Sequence, residues 1–326
     1  MRLKTRLTEK LGIEHPILLA PMGVMAGGKL AAAVSDAGGL GIIGGGYGDA
    51  DWLEQQFAAA GSTRVGCGFI TWSMARNPEV LDQVLARQPA ALMLSFGEVE
   101  PHASRIKARG VPLICQVQGM KYLREAVDAG ADIVVAEGCE AGGHSGHRGL
   151  FTLVPEAADY LAKCSPDTVL VAAGGVGDGR GLAAALTLGA DGVLVGTRFV
   201  ASKESEAPEG FRQAIIRNDG DSTMKSSSVD VVRKRYWPNP EFVVRVLKNG
   251  FVSKWHGRER DMEKAIDVEH ERFWRAFKAG DADSSGVLMG EVSGIIRDAP
   301  PAAQIVENMV AQACQILGSY SRYVAR

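Results

Sequence analysis

The chain has 326 residues, 46% of them hydrophobic and 23% charged, with a formal net charge of −2 and a pI near 6.3. That length suits one large core or a barrel with an appended domain, and the balanced charge excludes a general nucleic-acid surface. Five cysteines without Cys-x-x-Cys spacing indicate neither a disulfide framework nor a zinc site; with no apolar signal core and no long uncharged apolar run, the expectation is a soluble cytoplasmic protein without a membrane span.

Up to Phe199 two patterns alternate. Short apolar runs recur at Pro16–Ala20, Leu40–Ile43, Arg64–Ile70, Ala91–Phe96, Pro112–Val117, Asp132–Ala136, Thr168–Ala173 and Asp191–Gly196. Amphipathic helical stretches such as Lys29–Asp36, Asp51–Ala60, Lys121–Asp128 and Gly181–Leu188 lie between them. Several helix-to-strand joints carry a glycine just before the next strand, as in Ala129-Gly130-Ala131 and Leu188-Gly189-Ala190, where a left-handed residue ends the helix. Near-continuous apolar strands separated by helices predict a parallel sheet buried on both faces. Eight such units fit an α/β fold of the closed (β/α)8 TIM-barrel kind better than an open doubly wound sheet, which is the alternative.

After Phe199 the rhythm stops. Residues 201–284 are more polar and read as a smaller helical cap inserted beside the barrel mouth, with helices over segments such as Glu241–Leu247 and Met262–Ala279. The barrel then comprises 1–200 and 285–326. In the tail, Ile305, Met309, Val310 and Cys314 form one helical face, expected to pack back as the last barrel helix.

In a barrel of this kind the functional groups collect where strands end. The sixth run leads into Ala136-Glu-Gly-Cys-Glu-Ala-Gly-Gly-His144-Ser-Gly-His-Arg-Gly149, a glycine-rich loop with an imidazole in its middle. A tight turn with a surface histidine is the plainer explanation, but a titratable group on bare backbone at a strand end has the layout of an active-site loop. The seventh and eighth strands end in Gly174-Gly175-Val176-Gly177 and Gly196-Thr197-Arg198. Two glycine-led loops at these adjacent positions favour phosphate binding over simple turns, and suggest a planar phosphorylated cofactor such as FMN. Tyr47, Trp72 and Tyr236 are candidates to line the pocket or to pack in the core. His15, near the first strand, reads as structural.

Two tempting motifs fail. Gly39-Leu-Gly41-Ile-Ile-Gly44 has dinucleotide-site spacing but lies within an apolar strand. Asp281-Ala-Asp283-Ser-Ser285-Gly286 opens like a calcium loop, yet its twelfth position is Val292 rather than a bidentate glutamate.

Glu140-Ala-Gly-Gly-His144-Ser-Gly, Ala20-Pro21-Met22, Ala172-Ala-Gly-Gly-Val176 and Gly192-Val-Leu-Val-Gly-Thr-Arg-Phe199 together resemble the nitronate monooxygenase family, formerly 2-nitropropane dioxygenase. The resemblance covers roughly residues 5–200, with a weaker echo at Gly290-Glu-Val-Ser-Gly294. It implies non-covalently bound FMN, with Pro21, Met22 and Gly23 beside the flavin ring and Gln116 near it. Gly174, Gly175, Gly196 and Thr197 would hold the phosphate, Gly142 and Gly143 would shape the pocket, and His144 would face the substrate as base or electrostatic stabiliser. The implied reaction is oxidation of a nitronate or nitroalkane by O2 to a carbonyl compound and nitrite, in a candidate homodimer without nucleic-acid or membrane partners.

Two positions depart from the family pattern. Cys67 lies in the strand that often carries an asparagine toward the flavin, and Glu291 stands where glutamine is common. The alternative activity is NAD(P)H-driven reduction of a quinone or enoyl thioester, since related flavin barrels share these motifs. A dehydrogenase of the IMP type would need Cys139 as an activated nucleophile, and a non-catalytic flavin or phosphate carrier would not need His144.

Overall fold

The computed structural model describes residues 2–320. In chain order its strands are β1 (Ile17–Leu19), β2 (Ile42–Gly46), β3 (Gly66–Ile70), β4 (Leu92–Ser95), β5 (Leu113–Val117), β6 (Ile133–Glu137), β7 (Gly143–Ser145), β8 (Val169–Ala173), β9 (Gly192–Val195), β10 (Thr223–Lys225) and β11 (Val243–Leu247). Eight of them, all but β7, β10 and β11, pair in parallel in the order β1-β9-β8-β6-β5-β4-β3-β2. A bridge between Leu18 and Leu40 joins the two ends of that order, so the sheet closes as a (β/α)8 barrel.

Both faces of these strands are buried, which is why their sequences run apolar without a polar alternate. Leu18, Ile42, Met93, Ile114, Ile133, Val135, Val171 and Leu194 point into the barrel and pack together. Their chain neighbours, among them Leu19, Ile43, Leu92, Leu113, Val134, Ala172 and Val195, point out under the helices. This is the side-chain period of two with each face assigned to a different layer. The helix Arg6–Leu11 plugs the end of the barrel away from the active mouth, with Leu7 and Leu11 joining the interior cluster. At the opposite end the strands stop at glycines and polar residues.

The glycine joints work as their spacing predicts. Gly130 and Gly189 adopt φ of 76° and 101°, left-handed values at which a side chain is strained. Helix Ala302–Gly318 buries Ala302, Ile305, Val306, Met309, Val310 and Ala313 against helices Gly179–Thr187 and Gly28–Asp36. It takes the place of the eighth barrel helix, as expected for the tail.

The excursion between β9 and that helix differs in one respect from the purely helical expectation. Glu241–Leu247 is not a helix: Val243–Leu247 is strand β11, paired antiparallel with β10 on one side and β7 on the other. The run Val-Val-Arg-Val-Leu is β-branched and alternates, with Val244 and Val246 fully buried and Arg245 on the other face. Met262–Ala279 resolves into two helices, Glu259–Glu263 and Ile266–Ala279. No helix among the described residues is long and apolar enough to cross a membrane.

Helix Gly28–Asp36 presses directly on the start of β2. A Cβ built on Gly41 would lie 1.8 Å from the Ala31 carbonyl oxygen, a backbone atom that cannot move aside cheaply. Gly41→Ala is expected to destabilise the fold by roughly 3 kcal/mol, read as a lowered Tm or loss of soluble protein.

Candidate active site

A cavity of about 690 Å³ opens at the C-terminal ends of the strands, and all eight barrel strands end on it. It gathers each residue expected to hold the cofactor or to act on the substrate: Pro21, Met22, Gly23, Gln116, Gly142, Gly143, His144, Gly174, Gly175, Gly196 and Thr197. Segments far along the chain, from Phe211 to Val292, form its outer wall.

One rim is bare backbone. Gly174 and Gly175 have φ of 103° and 70°, so β8 turns away sharply at its end. The amides of Gly175, Val176 and Gly177 donate to no acceptor among the described residues. The next helix start is already occupied: Asp178 accepts from the Arg180 amide at 2.9 Å, and Gly179 donates to Gln312 at 2.7 Å. Free amides therefore sit in the turn itself, a place suited to an anion such as a phosphate. Thr197 is fixed by the Gly290 amide, which donates to its hydroxyl at 3.0 Å. Gly142 lies against the same segment; its Cβ would be 2.5 Å from Gly290 N and from the Met289 carbonyl carbon.

His144 does not sit in a free loop. It is the middle residue of β7, paired with Val244 of β11, and its Nε2 lies 2.7 Å from Asp230 Oδ2. Its ring stacks on Trp237 with centroids 3.6 Å apart and meets the edge of Phe96. Burial pushes the imidazole pKa below its usual value, against the opposing pull of Asp230, so the neutral ring is favoured at neutral pH. With Asp230 accepting from Nε2–H, the lone pair is left on Nδ1, which has no hydrogen-bond partner among the described residues.

Glu137 ends β6 on the cavity floor. Its Oε2 accepts from Gln116 Nε2 at 2.8 Å and Gln118 Nε2 at 2.9 Å. Burial pushes this carboxyl up to about 8, beyond what the two amides and Lys225 restore.

The sequence profile of nitronate monooxygenase matches residues 4–64 and 73–312. The chain belongs to the nitronate monooxygenase family, a group of flavin-dependent oxidoreductases. A nitronate monooxygenase of Metarhizium robertsii is 35% identical over 93% of this chain and 92% of its own length. Among solved structures, FabK of Thermotoga maritima superposes with a TM-score of 0.87 at 30% identity, covering 99% of this chain and 100% of the other. A nitroalkane oxidase of Streptomyces ansochromogenes gives 0.79 at 25%, covering 93% and 97%.

Several expectations about individual side chains change. Tyr236 is 58% exposed and absent from the cavity, whereas its neighbour Trp237 lines it. Tyr47 does line the cavity and accepts from Trp237 Nε1 at 3.3 Å; Trp72 packs edge-on behind both rings. Cys139 lies outside the cavity and its thiol pKa is raised by burial, which leaves no activated nucleophile of the IMP-dehydrogenase kind. Cys67 points into the layer between barrel and helices, so its difference from the family pattern does not reach the cavity; Gly68 and Phe69 present that strand there. Glu291 pairs with Arg245 at 2.9 Å, and that guanidinium also donates to the Cys139 carbonyl.

Asp230, Trp237, Phe96 and Glu137 were not picked out from sequence. Only Glu137 had a local signal: a charge closing an apolar run that is otherwise a buried strand. Its raised pKa means that folding becomes costlier as pH rises from the ordinary carboxylate range through about 8, because the native state holds a proton that the unfolded chain releases. Glu137→Gln keeps the shape and offers one oxygen to both glutamine donors. The variant is expected to melt a few degrees above the parent near about pH 9 and to show no such gain near about pH 4, measured by differential scanning calorimetry.

Proposed function

We propose that this protein oxidises alkyl nitronates, and the parent nitroalkanes, with dioxygen to a carbonyl compound and nitrite, using non-covalently bound FMN. Residues 201–284 act in this reading as the cap over a barrel made of the remaining segments. The observation that carries it is the imidazole held by a buried carboxylate on the wall of a cavity reached by all eight strands.

The residues suit the cofactor. The free amides at Gly175–Gly177, with Gly174, Gly196 and Thr197, would hold the phosphate, and Pro21, Met22, Gly23 and Gln116 would run along the ring. Bound there, the flavin would supply the redox chemistry between nitronate and dioxygen. The chain itself supplies position and one proton transfer. Nδ1 of His144 takes the α-proton of a nitroalkane, and Asp230 steadies the resulting imidazolium and fixes the ring orientation. A preformed nitronate needs no such step, so it reacts without the base. Trp237, Phe96 and Tyr47 keep water away from the imidazole.

The visible spectrum of the purified holoprotein, recorded before and after adding propyl-2-nitronate in air, together with nitrite release, tests the reading directly. Rapid anaerobic bleaching by NADH or NADPH without nitrite from any nitronate would turn the assignment toward the reductase activity. His144→Ala is expected to retain FMN and to lose roughly 10²–10⁴-fold in kcat/KM on nitroalkane while losing far less on nitronate. Parent activity on nitroalkane should fall only once the pH drops below the ordinary imidazole range, because the base works in its neutral form and its pKa is lowered. Asp230 favours the charged ring, so Asp230→Asn should move that acid limb to still lower pH and reduce the plateau.

A further inference from the structure

The basic run Arg233-Lys234-Arg235 is divided by the fold. Helix Ser228–Val232 ends with the Lys234 amide on Val231 O and the Arg235 amide on Asp230 O, and Lys234 takes the left-handed φ of 55° that usually falls to glycine. That turn sends Lys234 outward, where it pairs with Asp267 at 2.6 Å. Arg233 and Arg235 turn the other way. Both are half-buried and both line the cavity. Neither guanidinium has a carboxylate or any other hydrogen-bond partner among the described residues.

Their neighbours place them beside the imidazole. The Arg235 guanidinium lies 4.4 Å over the Tyr47 ring, Tyr47 accepts from Trp237, and Trp237 stacks on His144. Arg233 is close enough that its charge opposes protonation of His144. Tyr47, Trp72 and Phe96, which surround Trp237, follow β2, β3 and β4. The free amides at Gly175–Gly177 follow β8, on the far side of the closed strand order. The two arginines are therefore not part of the phosphate cradle.

An anionic substrate at a neutral imidazole needs positive charge from elsewhere, and two half-buried cations without an ion-pair partner among the described residues are suited to hold an anion. We propose that Arg233 and Arg235 form an anion subsite that draws in and holds the negative oxygens of the substrate nitronate, a planar oxyanion of single charge. This rests on the nitronate reading for the identity of the anion, but not for the existence of the subsite. The consequence is a division of labour: His144 handles the proton of a neutral nitroalkane, and the arginine pair handles the charge of the nitronate.

Holoenzyme carrying Arg233→Met, Arg235→Met, or lysine at either position would be compared with the parent in three ways. Flavin content is read first. Affinity for nitrate, an inert planar oxyanion, is read from perturbation of the flavin spectrum at low and high salt. Nitrite release is read on ethyl nitronate and on freshly dissolved neutral nitroethane. Each methionine variant is expected to keep its flavin, to bind nitrate about tenfold more weakly, and to show a nitronate-to-nitroethane ratio of kcat/KM lowered about tenfold through KM. The lysine variants should recover most of the nitrate affinity, and parent affinity should fall as salt rises. Unchanged nitrate affinity, equal losses on both substrates, flavin loss, or a lysine variant as impaired as the methionine one would overturn the proposal. If the parent releases no nitrite from either substrate but the variants still lose nitrate binding, the subsite stands and the nitronate reading falls.

Discussion

The hydrogen bond between His144 and Asp230 is the constraint on which the site depends. It joins two residues separated by 86 positions, one from the segment after β6 and the other from helix Ser228–Val232. A buried carboxylate and imidazole are worth their desolvation only when held in register, since either alone would be an uncompensated polar group. The register comes from main chain: β7 lies against β11, with His144 opposite Val244. A slip of one residue would turn the imidazole to the other face of that small sheet. Trp237 then roofs the ring. The outer segments thus do more than cover the barrel mouth; they determine where its histidine points and which nitrogen it offers.

Legibility in the sequence followed the range of the interactions. The barrel was readable because each strand is buried on both faces and each joint turns on a glycine, both local signals. The place of Gly174, Gly175, Gly196 and Thr197 at the barrel mouth was readable because position after a barrel strand carries meaning by itself. Asp230 and Trp237 had no such signal: a carboxylate in a short polar stretch and an indole beside Tyr236 are ordinary until a distant histidine is brought to them. β7 shows the same limit. Gly-His-Ser has little strand preference of its own, and only β11, about a hundred residues later, makes it a strand. Glu241–Leu247 was misread for another reason. Its alternation of Val244 and Val246 with Arg245 was present in the sequence, but the short run stood among segments of helical period.

The two departures from the family pattern resolve differently. Cys67 is fully buried between barrel and helices and its thiol is pushed up to about 12, so it behaves as a small apolar residue remote from the chemistry. Glu291 stands where a neutral amide is common, and here its negative charge is matched by Arg245. Arg245 in turn ties β11 to the Cys139 carbonyl, two residues beyond the end of β6. The charge at Glu291 thereby belongs to the scaffold that holds β7 and β11 together, at a position next to Gly290 and its bond to Thr197.

Helix Ala302–Gly318 fills the seam between helices Gly28–Asp36 and Gly179–Thr187, yet the whole 201–301 excursion precedes it in the chain. During synthesis the eight strands can pair once β9 has emerged, but a vertical stripe of their outer layer then stays open to water. The nascent chain must carry that greasy seam through the making of about a hundred further residues. Until then the open seam is an aggregation hazard, and the native barrel wall is sealed only after this helix has left the exit tunnel.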